Sequence, residues 1–121
     1  NELSDDPKEQ DVNKLPVITA RSRIKLLEYE KIIYIHTKSK KVYAVTKDKE
    51  YEVDNNLSEL EEKLSSDFFR VHRSYIVNLT KIEEVIPWFK GKYQVVMSDD
   101  NNQKIPVSRS KVKTIQQIFD L

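Results

Sequence analysis

From residue 17 onward, short apolar runs rich in β-branched and aromatic residues are separated by charged or polar turns, the pattern of strands joined by hairpins. Residues 16–20 read as a short strand and 23–30 as a second, with Leu26 and Leu27 inward. Residues 31–37 are rich in β-branched and aromatic side chains and form a strong strand candidate. Lys38-Ser39-Lys40-Lys41 interrupts the run as an exposed turn; residues 42–46 return, 47–49 turn again, and 50–53 alternate. Consecutive hairpins of this kind build antiparallel sheets. The period then changes. Leu57, Leu60 and Leu64 lie on one face of a short helix over 57–64, with Asn56 suited to cap it and Glu59 at the capping-box position. Residues 81–86 resume the extended pattern, 88–93 turn, and 94–97 with 104–107 make a last hairpin around residues 99–102. Ser108 or Ser110 caps a closing helix whose apolar stripe is Val112, Ile115 and Phe119.

Residues 68–79 are the centre of the chain. Phe69, Val71, Tyr75, Val77 and Leu79 occupy odd positions, so a single extended strand puts all five on one face. His72, Arg73 and Ser74 lie between the apolar runs and carry hydrogen-bond donors, which such a strand presents to a partner.

Composition narrows the classes. At 121 residues the chain suits one domain. Residues 1–15 hold five acids against two lysines and lack apolar periodicity, so residues 1–16 are expected to be a linker or disordered tail from an upstream domain, with the folded unit over 17–121. The first residue is Asn, and the chain is expected to be a piece of a longer protein. Formal net charge is +1, but residues 68–121 carry nine basic and five acidic side chains, an excess that permits an anionic partner. The absence of cysteine excludes disulfides and thiolate metal sites and fits a reducing compartment. No apolar run reaches the length of a membrane span, and the single glycine excludes a Gly-rich phosphate loop.

Catalytic and metal chemistry find few candidates. His72 and Ser74 stand two apart with no nucleophile elbow, and His36 and His72 have no clustered ligand partners. His36 reads as a surface residue at a strand end. The 38–41 turn alone is ordinary solvated charge. Ser108-Arg109-Ser110-Lys111 puts hydroxyls and cations at a helix start, where cations oppose the helix dipole unless an anion such as phosphate binds.

Two motifs then carry a resemblance. Phe-Arg-Val-His-Arg-Ser-Tyr-Ile-Val-Asn-Leu at 69–79 and Ile-Pro-Val-Ser-Arg at 105–109, with the Leu57/Leu60/Leu64 helix just before the first, resemble the LytTR family of DNA-binding domains over about residues 17–120. The resemblance implies a mainly β fold of small antiparallel sheets, elongated and sandwich-like, with one short helix before the signature strand and one at the C-terminus. It implies sequence-specific binding of double-stranded DNA in the cytoplasm, as the output domain of a bacterial two-component response regulator. Contacts are expected from Lys38, Ser39, Lys40 and Lys41, from His72, Arg73 and Ser74, and from Ser108, Arg109, Ser110 and Lys111. Arginine suits guanine; lysine and serine suit phosphates. The implied partners are imperfect direct repeats in promoters, a second copy on DNA and an upstream receiver domain, with no cofactor, metal, membrane or small-molecule substrate. Many relatives place glycine in the early loop and in the last hairpin, where this chain has Lys38-Ser39-Lys40-Lys41 and Asp100-Asn101-Asn102. The alternative is a β-rich peptide-interaction module of the SH3 or Tudor type, with Tyr34, Tyr43, Tyr75 and Trp88 lining a groove.

Overall fold

The computed structural model describes residues 12–121. Ten strands and two helices follow in order: β1 (Lys14–Ile18), β2 (Ile24–Glu28), β3 (Tyr34–Lys38), β4 (Lys41–Val45), β5 (Glu50–Val53), α1 (Leu57–Lys63), β6 (Phe68–His72), β7 (Tyr75–Asn78), β8 (Ile82–Pro87), β9 (Tyr93–Met97), β10 (Lys104–Val107) and α2 (Arg109–Phe119). The strands form a seven-stranded sheet, ordered β2-β1-β5-β4-β3-β7-β6, and a three-stranded sheet, ordered β10-β9-β8. Every pairing is antiparallel. The mainly β class with two helices is as the sequence implies.

Alternation along the strands divides the core into two layers. Ile35, Val42, Ala44 and Ile76 point to one face of the large sheet, where Leu57, Leu60 and Leu64 cover them. Tyr34, Val71 and Val77 point to the other face, against Val95, Met97 and Ile105 of the small sheet and Val112 and Ile115 of α2. Helix α1 begins as its sequence dictates: Asn56 Oδ1 accepts from the Glu59 N–H at 2.8 Å, and Glu59 Oε1 accepts from the Asn56 N–H at 3.0 Å. Asn78, at the end of β7, is buried. Its Nδ2 donates to the Ile32 carbonyl at 2.9 Å and its Oδ1 accepts from Thr80, closing a polar joint inside the apolar layers.

Several expectations are corrected. The fold starts before Val17: β1 runs from Lys14, because Leu15 is fully buried opposite Leu27. Residues 1–11 of the expected linker lie outside the described residues. Of the two leucines expected inward on β2, only Leu27 is buried, since consecutive strand residues face opposite ways; Leu26 is exposed. The 31–37 strand is shorter at its start, β3 beginning at Tyr34 after a single 3-10 turn over Tyr29–Lys31.

The signature stretch is a hairpin rather than one strand. β6 and β7 turn at Arg73-Ser74, with His72 opposite Tyr75. A two-residue corner closed by that pair would match even positions of β6 with odd positions of β7. An irregularity between Arg70 and His72 inserts Val71 as an extra residue, so that Phe69 faces Val77. The bulge therefore keeps the odd positions of both strands in one layer, the arrangement expected for a different reason.

Candidate nucleic-acid interface

The segments singled out from the sequence meet at one end of the molecule. β3 pairs with β7, His36 opposite Tyr75, and the Thr37 N–H donates to the Ser74 carbonyl at 3.2 Å. The β3–β4 corner (Ser39, Lys40) and the β6–β7 corner (Arg73, Ser74) are thus neighbouring tips, two strand spacings or about 10 Å apart. On the far side of β6, an edge strand, the Val71 carbonyl accepts from the Ser108 N–H at 2.8 Å. That bond fastens the start of α2 beside His72. Arg109 lies next to the β6–β7 tip in consequence.

Each tip has its own chemistry. At the first, the turn proper is only Ser39-Lys40, because Lys38 and Lys41 are the last paired residues of their strands. Both corner residues are left-handed, Ser39 at φ 52° and Lys40 at φ 67°. A type I′ two-residue turn takes this geometry, usually from Asn-Gly, so the missing glycine leaves the corner shape intact and strained. Two of the three lysines are internally paired. Lys38 Nζ lies 2.7 Å from Glu50 Oε2 and over the Tyr43 ring, and Lys41 Nζ lies 3.9 Å from Glu52 Oε2. The Glu50 carboxyl is held below its ordinary value, chiefly by the Lys38 hydrogen bond; burial opposes this, and the His36 hydrogen bond adds to the lowering. Among the described residues, Lys40 has no acidic partner.

At the second tip, neither Arg73 nor Ser74 has positive φ. The corner is held by side chains instead. His72 Nδ1 accepts from the Ser74 N–H at 3.1 Å, so a neutral His72 carries its proton on Nε2. Arg70 donates to the Arg73 carbonyl at 2.6 Å and reaches Ser58 and Glu61 of α1 at 3.2 and 3.3 Å. The Arg73 side chain is exposed. Behind this tip, His36 stacks on Tyr75, with 6.1 Å between ring centroids and 9° between planes. His36 is therefore not a strand-end surface residue. It is half-buried in mid-β3, with Nε2 3.2 Å from Glu50 Oε1.

At the third, Ser108 occupies the cap position of α2, but its hydroxyl makes no capping bond; Ser110 falls within the first turn. The Ser108 backbone N–H is instead taken by Val71. Arg109 and Ser110 are exposed, Lys111 lies 5.5 Å over the Phe69 ring, and Val112 and Ile115 are buried as expected.

Two contributors escaped the sequence reading. Arg70 lies at an even position of β6 and carried no signal beyond its charge. The 88–92 loop read as a plain turn, yet Trp88, Phe89 and Lys92 line an open cleft of about 560 Å³ with His72, Ser108 and Arg109. Two exposed aromatics in a turn were the available signal. The four aromatics of the peptide-groove alternative are separated: Tyr34 is buried, Tyr75 stacks on His36 with Tyr43 tilted beside it, and the cleft at Trp88 contains none of the three. Among the described residues, no cluster of three or more potential metal-ligating side chains occurs and no helix is long and apolar enough to cross a membrane.

Comparison with known proteins fits this geometry. The LytTr DNA-binding domain profile matches residues 22–120. The sensory transduction protein LytT of Bacillus subtilis is 39% identical over 99 residues, covering 81% of this chain and 40% of the relative. The transcriptional regulatory protein YpdB of Escherichia coli K12 is also 39% identical, over 82% of this chain and 41% of its own length. The chain thus spans about two fifths of the curated relatives it matches. Among solved structures, a LytTr DNA-binding domain from Bacillus cereus superposes with a TM-score of 0.78 at 26% identity, covering 90% of this chain and 98% of that one. The chain belongs to the LytTR family of DNA-binding domains.

Proposed function

We propose that this domain binds double-stranded DNA by sequence and serves as the output domain of a two-component response regulator controlling transcription. The convergence of three separate segments at one end of the fold carries the reading, since each arrives with donors or cations suited to DNA. Arg109 is the base reader, its fork suited to the O6 and N7 acceptors of guanine. His72 and Arg73 enter from the neighbouring tip, with Ser74 beside them. Lys40, Lys111, Ser39, Ser108 and Ser110 serve the phosphate backbone. Lys38 and Lys41 are weaker contributors because Glu50 and Glu52 already offset their charge.

Two copies on imperfect direct repeats, an upstream receiver domain, a cytoplasmic setting and a binding rather than catalytic role complete the proposal. They rest on family membership and on relatives named as transduction and regulatory proteins. Residues 1–11 are assigned to the linker. Selection of bound duplexes from a random pool, followed by titration at increasing salt, tests the reading. A defined consensus with a steep fall of affinity supports it; a shallow slope with no consensus returns the domain to the peptide-binding class.

A further inference from the structure

The β8–β9 corner does something the three tips do not explain. Trp88 is 50% and Phe89 75% exposed, two large adjacent rings that the core does not use. The loop holding them is formed: the Trp88 N–H donates to the Lys92 carbonyl at 2.7 Å, and Lys90 (φ 64°) and Gly91 (φ 73°) close it through left-handed corners. A formed loop that keeps two rings in water points to a partner surface.

Its position says which partner. β9 pairs with β10, Tyr93 opposite Val107, so the 88–92 loop lies at the same end of the molecule as Ser108 and Arg109. The cleft it shares with His72 and Arg109 is lined by Lys92 and by no acidic residue. The larger groove elsewhere, about 820 Å³, mixes its lysines with Glu28, Glu30 and Asp48. An apolar, acid-free surface flanked by Lys90 and Lys92, and continuous with the Arg109 tip, suits a polyanion with apolar sugar walls.

We propose that the 88–92 loop is a fourth DNA-contacting element, laying Trp88 and Phe89 against the sugar wall of the duplex beside the Arg109 contact, with Lys90 and Lys92 on the flanking phosphates. This rests on the DNA-binding reading above and extends its footprint. Sugars and phosphates carry no base code, so the loop adds affinity evenly across sequences while Arg109 discriminates.

Trp88 is the chain's only tryptophan, so its emission reports on this loop alone. The full chain is titrated with a duplex recovered by selection; anisotropy of the labelled duplex follows binding, while Trp88 emission and acrylamide quenching are read in parallel. Emission is expected to change with the same midpoint as anisotropy, and acrylamide access to fall. Phe89→Ala, at an exposed position and checked for its fold by circular dichroism, is expected to bind every duplex about tenfold more weakly without altering their order. Anisotropy that reports binding while Trp88 emission and access stay constant overturns the proposal and leaves the DNA-binding reading standing. Absence of any duplex binding overturns both. An emission change that follows protein concentration without DNA assigns the rings to contact between copies, and overturns it too.

Discussion

The Arg70 guanidinium donates to the Arg73 carbonyl at 2.6 Å while also reaching Ser58 and Glu61 on α1. One half-buried side chain thus ties the β6–β7 corner to the helix beneath it, across the Val71 bulge. Arg70→Ala is expected to loosen this tip: the Arg73 and Ser74 amides exchange faster, and binding to a selected duplex weakens more than binding to random DNA. Arg70→Lys is not expected to restore it, since one ammonium group does not reproduce a planar fork that bonds on two sides. Hydrogen exchange with paired specific and non-specific titrations checks this; an equal loss on both DNAs would reduce Arg70 to a general stabiliser.

The Ser39-Lys40 corner stores strain that substitution should release. Both residues have positive φ, and such residues cost roughly 1–3 kcal/mol each outside glycine. The double change Ser39→Asn, Lys40→Gly supplies the residues this turn prefers and is expected to raise the unfolding free energy, read from denaturant melts, by about 1 kcal/mol. The same protein should bind DNA less well, having lost the cation.

Charge pairing makes the three early lysines unequal. Lys40→Ala is expected to lower the salt slope of DNA binding by about one unit. Lys38→Ala and Lys41→Ala should each lower it by less, because Glu50 and Glu52 already neutralise them. Equal slopes for all three variants would show that DNA displaces both carboxylates.

Glu50 sets a pH dependence whose sign follows from its environment. Its folded pKa lies below the ordinary 4.5, mainly through the Lys38 hydrogen bond. The stabilisation is therefore complete at neutral pH and disappears as pH falls through the lowered folded value. The carboxylate is partly exposed, so the contribution is at most about 1 kcal/mol. Glu50→Gln should remove that component of acid destabilisation and, by freeing Lys38, raise affinity for duplex DNA at neutral pH. Melting curves through the acid range measure the first effect, and salt-controlled titrations the second.

The N-terminal boundary is tested by two truncations. Removal of residues 1–11 should leave melting temperature and DNA affinity unchanged. Removal of residues 1–17 takes away most of β1 with its pairing to β2 and the buried Leu15 and Val17, and should unfold much of the first core layer.

Much of this was legible because local signals agreed. At α1 the leucine spacing, the Asn56 cap and Glu59 all name one helix, and the structure forms each bond. The hairpins announced themselves through charged corners between β-branched runs. Where reading failed, the deciding information was not local. Leu26 and Leu27 are equally apolar, and only the pairing of Leu15 with Leu27 decides which is buried. The 68–79 run keeps its odd-position alternation through a corner because a bulge restores the parity, so periodicity alone does not reveal the turn. The pairing of Lys38 with Glu50 joins positions twelve residues apart across strands, and the nearness of Arg109 to His72 depends on one backbone bond from Ser108 to Val71.

Arg109 carries the central claim, and competition titration tests it most directly. Wild type and Arg109→Ala are measured against a selected duplex and a series in which each guanine is replaced in turn. If Arg109 reads a guanine, wild type loses about 1–3 kcal/mol at one replaced position. Arg109→Ala should show no such penalty there while keeping the ranking elsewhere, and Arg109→Lys should not restore it. If the two proteins rank the whole series identically, with every affinity lowered by the same factor, Arg109 is a phosphate contact and the base-reading account is wrong.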